Sequence, residues 1–293
     1  MYLQALTDGV LLGGVYALIA VGLSLAFGVM GIINWAHGEL LMLAMFFSYY
    51  LVVSFGMDPY LSAPIGMILF FGTGFLLQKF VFGKLLSKDS TREPTSVLLS
   101  TAGLGMILWN VATMIFGSNA MTATTTYTGK SIWIADSIMV SIPKLISFAI
   151  AVLAIYLLHQ FLNKTNMGRG LRATSQNRDV ARLMGINVNK IFCIAFGISI
   201  GLVALSGALL IPNYSVYAKV GEVYSNKAFI IVALGGKGNI RGTLVGGLII
   251  GIIERMGAII LNESYGQMLT FVFFIVILLW KPNGIFGKSR TQS

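Results

Sequence analysis

Between Asp8 and Asp58 lie 49 residues in which Glu39 is the only formally charged side chain. As one straight α-helix that stretch would be ~74 Å long, against a membrane hydrocarbon core of ~30 Å. The chain must therefore turn inside it. The hexapeptide "NWAHGE", residues 34–39, lies close to the midpoint and reads as the place where one crossing ends and the next begins.

Composition extends the membrane reading to the whole chain. Its 293 residues are 56% hydrophobic and 10% charged, with a mean hydropathy of +0.84, which leaves too little polar surface to face water. Period-two alternation is absent, which argues against a membrane β-barrel. The expected fold class is all-α: a polytopic transmembrane helix bundle of about eight or nine membrane segments, forming a single domain over residues 1–293. Expected spans are 9–33, 38–56, 60–82, 95–117, 143–162, 190–212, 242–261 and 267–281. One cysteine, Cys193, rules out an internal disulfide and a cysteine-based metal site.

The net charge of +10 does not indicate a nucleic-acid partner, because the basic residues cluster in short loops between apolar runs. Lys79, Lys84, Lys88 and Arg92 mark one cytoplasmic loop, and Lys164, Arg169, Arg172, Arg178, Arg182 and Lys190 mark a second. The tail with Lys281, Lys288 and Arg290 joins them, so the C-terminus is expected to be cytoplasmic and the N-terminus external. Eight simple crossings cannot satisfy both ends, so an extra traverse is expected at 220–236. No Lys or Arg precedes Lys79, and the first apolar run is expected to remain as a membrane helix.

Three readings compete for "NWAHGE": a metal or catalytic cluster, a proton relay, or a polar break between helices. His37 and Glu39 are two residues apart and point away from each other on a helix, which argues against metal. A proton relay stays open, since ionisable groups at membrane depth are costly. Asn34, His37 and Glu39 are expected to form a hydrogen-bonded corner at the cytoplasmic end of a pathway.

Gly235, Gly236 and Gly238 interrupt a second apolar segment, as Gly28, Gly31 and Gly38 do near the other end of the chain. Paired breaks of this kind point to discontinuous helices lining a substrate path, although a glycine-rich chain also produces them by chance. The candidate path or gate residues are thus Asn34, His37, Glu39, Gly235, Gly236, Asn239 and Glu254. Glu254 and Arg255 sit inside an apolar run and are expected either to snorkel or to pair across helices. The stretch after Gly236 is no dinucleotide fingerprint, because Arg241 holds the third glycine position.

Residues 163–190 form the longest polar stretch and carry helix grammar: Thr174 or Ser175 as N-cap, a body from Gln176 to Met184, and Gly185 as terminator. Basic on its surface, with Val180, Leu183 and Met184 as an apolar side, this helix suits docking into a groove on a cytoplasmic partner.

These stretches together resemble the permease subunits of the branched-chain amino-acid ABC importer family. The resemblance rests on "GVYALIAVGLSLAFGVMGIINWAHGELLML", "MGRGLRATSQNRDVARLMGINVNK" and "KAFIIVALGGKGNIRGTLVGGLIIGIIE", in that order along nearly the whole chain. "INWAHGE" is similar to the Asn-x-Ala-His-Gly-Glu signature of the first of the family's two permease types.

The resemblance implies a translocation subunit of the bacterial cytoplasmic (inner) membrane with no catalytic residues, metal or bound cofactor of its own. ATP is used by two cytoplasmic ATPase subunits. A second permease chain, an extracytoplasmic substrate-binding protein and membrane lipid complete the partners. The ATPase-coupling residues it implies are Arg172, Ala173, Arg178, Ala181, Arg182 and Gly185. Thr174 and Ser175 depart from the Glu and Ala often found in related importers. Cargo is expected to be branched-chain or other small, largely apolar amino acids, with urea or short amides as the alternative within the family. An ion-coupled secondary amino-acid transporter and a membrane scaffold are the readings from other classes.

Overall fold

The computed structural model describes residues 1–88, 95–125, 127–134, 138–260, 262–282 and 284–287, so Arg92, Lys288 and Arg290 of the expected basic loops lie outside the described residues. In chain order come α1 (Tyr2–Met30), α2 (His37–Phe55) and α3 (Pro59–Leu77), the last prolonged by a π-helical turn at Gln78–Phe82 into α4 (Gly83–Lys88). Then follow α5 (Thr95–Phe116), a short antiparallel hairpin of β1 (Ser131–Ile134) and β2 (Ile138–Ser141), and α6 (Ile142–Lys164). The polar stretch forms α7 (Asn166–Gln176) and α8 (Arg178–Leu183). The chain ends in α9 (Val188–Leu210), α10 (Val220–Gly235), α11 (Ile240–Ile260) and α12 (Glu263–Trp280).

Among the described residues seven helices are long and apolar enough to cross a membrane, with Tyr265–Trp280 a shorter apolar helix. The extra segment expected at 220–236 is a helix, α10, of 16 residues. The hairpin was not expected, and it fixes one end of α1. Gln4 exchanges hydrogen bonds with the Met139 backbone, and Asp8 pairs with Lys144 at 2.7 Å.

Local signals set several boundaries. Asp58 caps α3, its Oδ1 accepting from the Tyr60 N–H at 2.8 Å, and Pro59 occupies the first turn, where its missing N–H costs nothing. α1 stops at Gly31, whose φ of 64° is left-handed backbone that favours glycine. α1 and α9 are apolar all round and almost wholly buried, which makes them the pillars of the bundle.

Small residues bring these pillars against their partners. Gly9 and Gly13 of α1 meet Gly251, Ile252, Gly247 and Leu248 of α11, so the two helices run antiparallel, backbone on backbone. Gly197 and Gly201 of α9 pack on Phe71 and Met67 of α3, and Gly242 and Gly246 of α11 pack on Gly235 and Ile231 of α10. These glycines, spaced four apart along their helices, are therefore helix contacts, the arrangement expected where lipid supplies no hydrophobic drive to association.

Candidate functional site

The polar hexapeptide does not lie at the end of a crossing. His37 is fully buried, and its Nε2 stands 3.0 Å from the carbonyl oxygen of Ile19. A carbonyl only accepts, so Nε2 carries the proton. Ile19 lies eleven residues before the end of α1, ~16 Å back along its axis. Residues 31–36 thus fold back into the bundle, and α2 starts inside it. This corrects the expectation of a corner at the cytoplasmic end, and length alone could not reveal it: a polar break reads the same at a membrane surface or folded inward.

Irregular backbone at depth is tolerated only when protein satisfies its polar groups. Here Asn34 Oδ1 accepts from the Ala36 N–H at 3.1 Å, and Thr101 of α5 accepts from the Trp35 N–H at 3.3 Å. Among the described contacts the side chains of Asn34, His37 and Glu39 bond to backbone or remain unpaired rather than to one another, which is a second correction to the expected corner.

α10 begins at the same place. Gly38 and Gly221 pack backbone on backbone, so that a methyl group on Gly38 would overlap the Gly221 carbonyl oxygen. A methyl on Gly221 would lie 2.8 Å from Glu39 Oε2. The N-termini of two helices therefore meet, each with an acidic residue in its first turn, Glu39 and Glu222. Carboxylates at that end offset the partial positive charge of unpaired N–H groups.

The two glycine breaks also meet in space. Gly28 of α1 packs on Gly238 in the break between α10 and α11, where Gly236 and Gly238 hold φ of 86° and 77°. Gly235 packs on Gly242 across the same break. Asn239 caps α11, its Oδ1 accepting from the Gly242 N–H at 3.1 Å, and its Nδ2 reaches the Phe286 carbonyl at 3.2 Å. A cavity of about 1130 Å³ opens here, lined by Gly28, Gly236 and Asn239 together with Arg172 and Ser175 of α7.

The polar stretch differs in detail from its expected form. α7 runs through Thr174 and Ser175, and the cap of α8 is Asn177, whose Oδ1 accepts from the N–H groups of Asp179 and Val180 at 3.0 and 3.1 Å. Thr174 is buried and so cannot stand at a helix start facing solvent. Gly185, with φ of 80°, follows the end of α8. Ala181 is buried, whereas Val180, Leu183 and Met184 are exposed, the last two at 87% and 78%. Arg172 bonds Asn163, and Arg182 lies 3.9 Å from Asp179 on the surface. The Arg178 guanidinium donates to the Met30 carbonyl at the end of α1. Partial burial and then the neighbouring Arg182 lower its pKa from the ordinary value, against a raising effect of Asp179.

Glu254 neither snorkels nor stands alone. Lys227 of α10 pairs with its Oε1 at 2.8 Å, and Tyr16 of α1 joins both, accepting from Lys227 at 2.7 Å and donating to Glu254 at 3.2 Å. Sequence reasoning missed Lys227 and Tyr16. The signal was present in Lys227, a lone cation just before the apolar run "AFIIVAL". Arg255 reaches the Tyr214 hydroxyl at 2.9 Å. Among the described residues, no group of three or more His, Cys, Asp or Glu side chains is gathered to hold a metal ion.

Comparison with known proteins places this architecture. The chain is 29% identical to BraD of Pseudomonas aeruginosa, a high-affinity branched-chain amino acid transport system permease protein, over 99% of this chain and 97% of that one. It is equally identical to LivH of Escherichia coli K12, similarly described, over the same shares. A shorter match, 34% identical over 59% of this chain and 56% of the relative, is the ribose import permease protein RbsC of Escherichia coli K12. Residues 5–278 match the family described as the permease component of the branched-chain amino acid transport system, and the chain belongs to that family.

Proposed function

We propose that this chain is the translocation subunit of an ATP-driven importer in the bacterial cytoplasmic membrane, carrying branched-chain or similarly small, largely apolar amino acids inward. One of two ATPase subunits docks on α8 from the cytoplasm, a second permease chain completes the membrane unit with the other, and an extracytoplasmic binding protein delivers the cargo. The observation that carries the reading is the shared cavity: coupling residue Arg172 and path residues Gly236 and Asn239 line one space. Arg178 ties the docking helix to the end of α1 at the same end of the bundle. ATP-driven closure of the ATPase pair moves α8, and α1 transmits that motion to the glycine breaks, switching the bundle between two packed states.

The buried Lys227–Glu254 pair favours a second reading, an ion-coupled carrier that needs no ATPase. Leucine uptake into proteoliposomes that hold the full complex separates the two. Uptake that needs ATP and survives a proton uncoupler supports the importer, and uptake that collapses with the proton gradient while ATP is intact rejects it. Urea and short amides, tested as competitors, define the range of cargo.

A further inference from the structure

We infer that the cavity around Lys227, Glu254 and Tyr16 is a transit site for the ammonium and carboxylate groups of a free amino acid, an assignment that rests on the transport reading above. The cavity measures about 290 Å³, at the lower edge of the ~300–1,000 Å³ typical of small-molecule pockets. Val220, Val223 and Ala258 supply apolar wall, and Tyr224 adds an aromatic face. Three helices contribute the hydrogen-bonded trio in its lining: Tyr16 from α1, Lys227 from α10 and Glu254 from α11.

Lys227 and Glu254 are exposed by only 7% and 9%. Buried charges are a costly way to hold helices together, since an apolar pair of similar volume packs as well without desolvation. Glu254 also keeps one oxygen, Oε2, buried and without a hydrogen-bond partner in the structure. A partnerless carboxylate oxygen on a residue that lines the cavity is a place for an incoming donor once the helices part.

A zwitterion fits this arrangement better than any singly charged ligand. Its carboxylate takes Lys227, its ammonium takes Glu254, and the Tyr16 hydroxyl, now joined to both, stays with either. One ion pair becomes two, and the net charge in the cavity is unchanged. A lone cation that took Glu254 would leave Lys227 and Arg255 facing the cavity without that carboxylate, and a lone anion that took Lys227 would bring Glu254 no ammonium in exchange. Arg255, hydrogen-bonded to Tyr214 in the lining of the same cavity, adds positive potential there. Because the three groups come from three helices, relative motion of α1, α10 and α11 opens or closes the pair.

The test uses the complete complex, with its ATPases and binding protein, in proteoliposomes supplied with radiolabelled leucine. The double variant Lys227→Met/Glu254→Gln removes both charges at nearly constant volume. It is expected to co-purify with its partners and to hydrolyse ATP in response to the loaded binding protein, while leucine uptake falls at least about tenfold. Uptake within about twofold of wild type in the assembled complex overturns the assignment. If the double variant does not assemble, Lys227→Arg decides: the charge is kept but the geometry shifts, and the KM for leucine is expected to rise about fivefold, an unchanged KM overturning the site. A wild-type complex with no ATP-driven uptake at all overturns the transport reading beneath it, which is a distinct result.

Discussion

The guanidinium of Arg178 donates a hydrogen bond to the backbone carbonyl of Met30, joining the first residue of α8 to the last residue of α1. A helix C-terminus leaves its last carbonyls without intrahelical partners, so a cation there satisfies an orphan acceptor and the helix dipole together. The bond connects a short, exposed helix to the longest buried helix.

Arg178→Ala is expected to loosen that connection. Hydrogen bonds to charged groups contribute about 1.5–3 kcal/mol, so the loss should appear as several-fold fewer leucine molecules carried per ATP hydrolysed. Arg178→Lys, which keeps the charge on a shorter reach, should fall between alanine and wild type. Uptake and phosphate release measured on the same proteoliposomes check this.

Leu183 and Met184 are large apolar side chains that the isolated chain leaves in solvent. Leu183→Ser and Met184→Ser should leave the thermal midpoint of the purified permease within a few degrees, since exposed substitutions are worth about ±0.5 kcal/mol. Co-purification of the ATPase subunits should drop sharply. Retained co-purification would place the docking surface elsewhere.

How much of this was readable in the sequence differs from element to element. The membrane helices followed from apolar length, because that depends on neighbours within one segment. The inward fold of residues 31–36 did not follow, since it depends on the Ile19 carbonyl and on Thr101, far away in the sequence. The cap of α8 was misjudged for a similar reason: burial against other helices keeps Thr174 inside α7, and Asn177 takes the role. Glu254 was singled out, but its partner Lys227 was not, because pairing across helices α10 and α11 leaves no spacing rule to read.

Gly38→Ala and Gly221→Ala should each destabilise, because the added methyl meets opposing backbone, which cannot swing aside. Overpacking of this kind costs about 1–3 kcal/mol. Gly103→Ala in α5 is the control: nothing stands near a methyl group there, and replacing glycine within a helix should be neutral or stabilising by up to about 1 kcal/mol. Thermal midpoints in a single detergent compare all three.

His37→Gln and His37→Leu separate the hydrogen bond from the space it fills. Glutamine retains an N–H that can reach the Ile19 carbonyl and should keep most of the stability. Leucine cannot donate and should cost about 1 kcal/mol or more. Equal stability of the two variants would show that the imidazole acts only as a filler between α1 and α2.

The backbone-to-backbone packing of α1 on α11 also sets an order of events during synthesis. α1 emerges long before α11, the helix that covers its glycine face, which begins at Ile240. At roughly 5–20 residues per second, α1 waits on the order of ten seconds or more with that face turned to lipid. It can wait because its interior segment is apolar on every side and its only ionised side chain, Asp8, lies near the end. A chain that stops before α11 therefore carries α1 inserted with its Gly9 and Gly13 face uncovered, lacking the backbone contacts that fix its place in the finished bundle.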